Sequence, residues 1–190
     1  MTLRQSQKGI IRLPFLVTLI CAGLLFAQVG LAEVSLQEVY NNAGPGGGYD
    51  KLLELDPQEI YIGDLLITGP YHEVCIHGNG ALVVPDGNFY AILVYESLLD
   101  VDHLVIEASI IGLFYSNHSC GTVKNNTIAG AADCGIRSTD IYMPGGLEIF
   151  NNIIVGCGYG IYANEDYLPQ YIAYNDLWNN PGGDYMMYCG

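Results

Sequence analysis

The residues of this chain that could carry chemistry are one arginine and a few acids in its second half. Arg137 is one of three basic residues after position 32, and Asp140, Glu165 and Asp166 follow it in the sequence. A guanidinium can neutralise a carboxylate, and carboxylates can transfer protons or bind a cation. Calcium suits such oxygen ligands, and the amide of Asn117 offers another. Whether these side chains meet depends on the elements that position them.

The charge distribution excludes several classes of function. The 190 residues carry a net charge of −14, and all 20 acids lie from Glu33 onward. Without residues 1–32, three basic residues face 20 acids, a net charge of −17. This argues against a nucleic-acid partner, because such proteins need a positive surface. It also argues against docking on anionic lipid. Disorder is not expected, because 51% of the residues are hydrophobic and 14% are charged.

The first 32 residues are typical of a secretory signal. Three basic residues within the first twelve precede a nearly unbroken apolar run from Leu13 to Ala27, and Gly30 and Ala32 are small residues before a predicted cut at Glu33. The alternative is an uncleaved anchor helix. Cleavage would leave no membrane span, because no later segment is long and apolar enough. We therefore expect a secreted, periplasmic or cell-surface protein.

Cysteines and histidines give weaker signals. Five cysteines follow the predicted cut, an odd number that leaves at least one unpaired. We interpret them as small buried hydrophobic residues with room for one disulfide. The four histidines show no spacing typical of metal ligands and are predicted at the surface or in turns; they are His72, His77, His103 and His118.

A repeat organises the chain after residue 70. Similar segments begin at Ile76, Val105, Val123, Ile149 and Ile172, at intervals of 29, 18, 26 and 23 residues that average 24. Their fourth position predicts a structural ladder of Asn79, Asn126, Asn152 and Asn175, broken once at Ala108. The strands are short, rich in Val, Ile and Tyr, and separated by Gly and Asn. Such a period favours a solenoid whose parallel strands stack about 4.8 Å apart.

A second repeated frame brings the candidate residues together. It begins at Ala91, Gly112, Gly135, Gly160 and Gly183. Its third position is Leu93, Phe114, Arg137, Tyr162 and Tyr185, and its sixth position is Glu96, Asn117, Asp140, Glu165 and Tyr188. Arg137 is thus predicted between Phe114 and Tyr162, with Asp140 and Glu165 just beyond. Carboxylates about 4.8 Å apart repel by roughly 3.5 kcal/mol at an effective dielectric near 20, so they splay, share a proton or bind a cation.

The repeated motif resembles a known family, the right-handed parallel β-helix proteins of the pectin-lyase-like superfamily. The motif is Asn125-Asn126-Thr127-Ile128 with Gly135-Ile136, and it recurs as Asn151-Asn152-Ile153-Ile154 with Gly160-Ile161. The resemblance covers residues 36–188. It implies an all-β right-handed parallel β-helix of five to six coils in a domain over 33–190. We place the first coil at 36–70 and the repeats at 71–190. The C-terminal end is expected to be truncated or covered by another subunit.

The resemblance leaves the activity open, because this scaffold hosts many functions. Polysaccharide lyases of this general fold use calcium and a cation to acidify a uronate proton. By that likeness Arg137, Asp140 and Glu165 would be catalytic, and Asp140, Glu165 and Asp166 would bind calcium. The paired aspartates, G-H-G and R-I-K typical of the family's hydrolases are missing from the sequence.

Aromatic residues suggest contact with sugars. Phe114, Tyr162 and Tyr185 fall in one repeated position, and the last 49 residues are rich in tyrosine. Flat rings with polar tips can stack on sugar faces, although tyrosine is also an ordinary strand residue. We predict a protein that binds extracellular or envelope polysaccharide. The alternatives are a polysaccharide lyase or hydrolase, and a structural or adhesin repeat module.

Overall fold

The computed structural model describes residues 32–87, 89–108, 110–141, 146–164 and 169–188. They form an all-β parallel solenoid of about six turns, which confirms the predicted fold class. Apart from Ala32, the predicted signal lies outside the described residues. Within these ranges no helix has the length and apolar character needed to cross a bilayer.

A short helix, α1 (Leu36–Asn42), lies in the first coil of the solenoid. Ser35 caps its first turn, because its hydroxyl accepts a hydrogen bond from the backbone N–H of Glu38 at 3.3 Å. Lys51 donates to the carbonyl oxygens of Tyr40 and Ala43 at 2.7 and 2.9 Å, which satisfies carbonyls at the end of the helix. The repeat periodicity does not predict this helix. The local signal is Ser35 followed three residues later by Glu38.

One strand from each coil builds the first sheet, which we call face 1. Its neighbours pair in parallel at every step. In order, the strands are β1 (Ala32–Ser35), β3 (Glu59–Ile62), β5 (Leu82–Val84), β7 (Val105–Glu107), β10 (Thr127–Ala129), β13 (Ile153–Val155) and β16 (Asp176–Trp178).

Two other faces are joined by long strands that turn a corner. The strands β4 (Leu65–His77) and β6 (Tyr90–Asp102) each contribute their first half to face 2 and their second half to face 3. Face 2 continues with β8 (Ile111–Ser116), β11 (Cys134–Thr139), β14 (Tyr159–Asn164) and β17 (Gly183–Tyr188). Face 3 also contains β2 (Lys51–Glu54), β9 (Gly121–Lys124), β12 (Leu147–Phe150) and β15 (Tyr171–Ala173).

Aliphatic columns fill the interior because alternate residues of each strand point inward. Face 1 contributes a buried column that includes Ile106, Ile128 and Ile154. Face 3 contributes a second column: Ile76, Val101, Val123 and Ile149. The alignment of the repeats in the sequence wrongly predicted Val105 in this second column. Val105 instead pairs with Leu82 on face 1, because the chain has already turned the corner after Asp102.

The asparagine ladder runs through three coils. Asn152 Oδ1 accepts from the backbone N–H and the Nδ2 of Asn126 at 2.9 and 3.1 Å. Asn175 Oδ1 accepts the same two bonds from Asn152, both at 3.0 Å. Leu104 occupies the equivalent position one coil before Asn126, so Ala108 is not the break that the sequence predicts.

Asn79 does not belong to this ladder. Ala81 holds the ladder position in its coil, and the Asn79 amide donates to the Leu55 carbonyl at 3.1 Å. The left-handed backbone also lies one residue earlier than the ladder. Asn125 and Asn151 have φ values of 56° and 57°. The residues that turn the backbone therefore differ from Asn126 and Asn152, whose side chains form the ladder.

The last coil departs from the predicted register by one residue. Tyr162 pairs with Met186, and Tyr185 pairs with the inward-facing Ile161. The cause is a longer turn: five positions separate Trp178 from Gly183, whereas four separate the equivalent residues of the preceding coil. Tyr185 therefore lies in an inward column, not in the surface column of Tyr162.

Candidate functional site

The candidate site is a column of side chains on the outer surface of face 2, which we call the Arg137 column. Strand register aligns its members across successive coils. They are Leu66, Leu93, Phe114, Arg137, Tyr162 and Met186. Each is at least partly exposed, and for the members from Leu66 to Tyr162 the inward positions on either side are buried.

Arg137 lies between two aromatic rings. Its Cζ is 4.7 Å from the ring centroid of Tyr162 and 5.6 Å from that of Phe114. Cation–π contacts of this kind contribute about 0.5–2 kcal/mol each. Its Nη1 donates to Asp133 Oδ2 at 2.8 Å. Its Nε is buried and has no hydrogen-bond partner among the described residues. Two rings and one carboxylate thus contact the guanidinium, and Asp133 compensates its charge.

Polar groups line the column on one side. Two residues further along each strand, the outward positions are Thr68, Tyr95, Ser116, Thr139 and Asn164. The hydroxyls of Thr139 and Ser116 are 3.2 Å apart, within hydrogen-bond distance. Face 2 thus presents a strip of flat or apolar side chains beside a strip of hydrogen-bonding groups.

A turn follows these strands and adds further polar groups. Glu96, Asn117 and Asp140 have φ values of 52°, 49° and 56°, so the chain turns at the equivalent residue of these three coils. Asn117 Nδ2 donates to Glu96 Oε1 at 2.8 Å. Near this turn lies a shallow depression of about 270 Å³, lined by Pro70, Tyr71, Glu96 and His118. Tyr71 is 74% exposed there.

Only part of the predicted catalytic and calcium set, Arg137 and Asp140, lies in the described residues. Arg137 forms its ion pair with Asp133 and not with Asp140. Asp140 is exposed, and Glu165 and Asp166 lie outside the described residues. Within the described part of the chain, no group of three or more His, Cys, Asp or Glu side chains is arranged to hold a metal ion. The catalytic and calcium assignments therefore stay predictions.

The predicted aromatic platform separates into several places. Phe114 and Tyr162 share the Arg137 column, whereas Tyr185 leaves it by the register shift. The exposed Tyr171 lies on face 3 and the exposed Trp178 on face 1. Tyr142 and Tyr167 lie outside the described residues.

The four described cysteines are unpaired and buried, as small hydrophobic residues are; they are Cys75, Cys120, Cys134 and Cys157. Burial raises the pKa of each thiol, to about 11 for Cys75 and about 12 for Cys134. These thiols are therefore protonated at neutral pH.

Sequence reasoning missed a second group of titratable residues on face 3. Asp102 is buried and accepts hydrogen bonds from two histidine rings. Its carboxylate lies 3.1 Å from His77 Nδ1 and 2.9 Å from His103 Nδ1, and 3.7 Å from Lys124 Nζ. Burial alone would raise the pKa of Asp102, but the bonds from His103 and His77 outweigh it and lower that pKa.

Comparison with known proteins gives no relative: no protein-family model, curated protein or solved structure matches the chain. The parallel β-solenoid is established by the structure. The resemblance to the pectin-lyase-like superfamily remains a prediction.

Proposed function

We propose that the chain is an exported protein that binds a polysaccharide along face 2. The polymer lies across the coils and follows the Arg137 column. Export is supported by the pattern of the first 32 residues. The binding surface is supported by the arrangement of face 2, in which the stacked Phe114, Arg137 and Tyr162 are the central observation.

The repeat of the surface suits a repeating ligand. Successive coils present equivalent side chains about every 4.8 Å. Sugar rings carry C–H groups on their faces and hydroxyls at their rims. Phe114 and Tyr162 offer surfaces for the faces, while Ser116 and Thr139 lie beside them to exchange hydrogen bonds with the rims. A ligand that crosses several coils can use each of these groups.

The charge of the protein favours a neutral polymer. Residues 33–190 carry a net charge of −17, which repels polyanions at moderate ionic strength. Arg137 does not offset this repulsion, because Asp133 already pairs with it at 2.8 Å. We therefore expect binding to neutral glycans, with little dependence on salt.

Affinity electrophoresis in gels that contain neutral or acidic polysaccharides tests this function. The protein should be retarded by at least one neutral polymer, and less by pectate or alginate. Tyr162→Ala and Phe114→Ala should each weaken the retardation about five- to tenfold, because a stacking contact contributes roughly 1 kcal/mol or more. The matched control is Tyr171→Ala, which removes an exposed tyrosine from face 3. An equal loss in the control, or no retardation by any polymer, contradicts the proposal.

A further inference from the structure

A thiol, an imidazole and a carboxylate lie in line on the outward-facing side of the strands of face 3, where Cys75 and Asp102 are buried and His77 is partly exposed. Cys75 Sγ is 3.6 Å from His77 Nε2, and His77 Nδ1 is 3.1 and 3.2 Å from the two oxygens of Asp102. Cys75 and His77 alternate along β4, and the parallel register places Asp102 on the next coil directly beside His77. Each contact is thus set by strand geometry and not by a flexible loop.

Asp102 fixes the orientation of His77. The carboxylate is buried, and its bond to Nδ1 leaves Nε2 free to face the thiol at 3.6 Å, with Glu54 Oε1 3.9 Å from the same nitrogen. His103 and Lys124 flank the same carboxylate, which favours its charged form. The His77 side chain is 39% exposed, so the ring remains in contact with solvent. A base held by a third group beside a nucleophile is the arrangement that nucleophilic catalysis requires.

We propose that Cys75, His77 and Asp102 form a second site, a nucleophilic triad that takes acyl groups from esters. This activity is independent of polysaccharide binding on face 2. His77 Nε2 accepts the thiol proton while Sγ attacks the acyl carbon. The ester C–O bond breaks, the proton passes to the departing oxygen, and an alcohol leaves. Water, deprotonated by His77, then hydrolyses the thioester. A carboxylic acid is released and the thiol is restored.

The surroundings of the thiol make its reaction depend on His77. Burial raises the pKa of Cys75, and Asp100, Asp102 and Glu54 raise it further, while Lys124 lowers it. The thiol is therefore not ionised in advance, and its proton must be removed as it attacks, as for a serine hydroxyl. Asp100, one of these acids, accepts a hydrogen bond from the Tyr49 hydroxyl at 2.5 Å.

Cys120 provides an internal control. It is a free, buried thiol directly before β9, 4% exposed compared with 3% for Cys75. Cys75 has a histidine partner, whereas Cys120 has none among the described residues, so the two thiols differ in the feature that the proposal requires. Their pKa values are raised by the same main cause, burial.

The experiment treats the full chain with p-nitrophenyl acetate, quenches with acid during the first turnover before the thioester hydrolyses, and measures the rate of S-acetylation of each cysteine by peptide mass spectrometry. Cys75 should acetylate at least about tenfold faster than Cys120 in the unmodified protein, because general-base assistance is large. A smaller ratio overturns the proposal, and this comparison needs no variant to fold. In His77→Ala the ratio should fall to about one. If the ratio persists there, His77 does not activate the thiol and the triad is wrong.

Discussion

Asn126 and Asn152 lie one coil apart and are joined by two hydrogen bonds to a single oxygen, the Oδ1 of Asn152. Asn152 Oδ1 accepts both the backbone N–H and the side-chain amide of Asn126, at 2.9 and 3.1 Å. Both side chains are 1% exposed. The ladder therefore satisfies backbone groups at a turn that water cannot reach, and it keeps successive coils in register.

Replacing the central ladder residue should destabilise the solenoid. Asn152→Ala removes the acceptor for Asn126 and the donors to the carbonyls of Val123 and Phe150, at 2.9 and 3.1 Å. We expect a loss of about 3 kcal/mol in the free energy of unfolding, because buried polar groups lose their partners. Urea denaturation followed by circular dichroism measures it.

The control for the ladder is Asn79→Gly. Asn79 lies outside the ladder, is exposed, and has a φ of 54° that glycine adopts freely. Its substitution should change the free energy of unfolding by less than about 1 kcal/mol. Equal losses in the two variants would show that the ladder has no special role.

Gly135 lies too close to the neighbouring coil to accommodate a side chain. A Cβ at this position would overlap Ile154 Cγ2 and would lie 3.0 Å from the carbonyl oxygen of Gly160. Gly135→Ala should lower the free energy of unfolding by about 1–3 kcal/mol, because the well-packed interior must shift. Gly44→Ala is the control, since nothing lies within 4 Å of its added Cβ. A Gly135 variant as stable as the Gly44 variant would contradict the packing described.

The Asp102 carboxylate should make stability depend on pH. Its pKa is lower in the folded chain than in the unfolded chain, where it is near 4. The stability that the carboxylate contributes is therefore fully present above the unfolded pKa and is lost as pH falls through the folded pKa. Asp102→Asn should cost about 2 kcal/mol at pH 7, and the difference from the unmodified protein should shrink below about pH 4. Denaturation curves at pH 7, 5 and 3 measure this. A difference that stays constant down to pH 3, or an equal effect of Asp86→Asn on the exposed surface, contradicts it.

The sequence predicted the repeated scaffold because its register is marked by residues that need a like neighbour. In two coils an isoleucine follows the asparagine at the same distance, as in Asn126 with Ile128 and Asn152 with Ile154. The second repeated frame likewise predicts that Phe114, Arg137 and Tyr162 are neighbours on successive coils. Turn lengths carry no such marker. The additional residue in the turn around Pro181 moved Tyr185 into the inward column, which composition alone does not reveal.

The triad on face 3 was missed for a related reason. His77 and Asp102 are 25 residues apart and share no local motif. They become neighbours only when Val101, and not Val105, is aligned with Ile76. With that alignment the pairing of His77 and Asp102 follows directly, so one misplaced repeat hid the site.

Hydroxyl-radical footprinting with and without a bound neutral polysaccharide tests the central claim most directly, because it reports which face the polymer covers. Phe114 and Tyr162 should be oxidised several-fold more slowly in the complex. Tyr171 on face 3 and Trp178 on face 1 should be oxidised at unchanged rates. Protection of Tyr171 or Trp178, with Phe114 and Tyr162 unprotected, would contradict a binding surface on face 2.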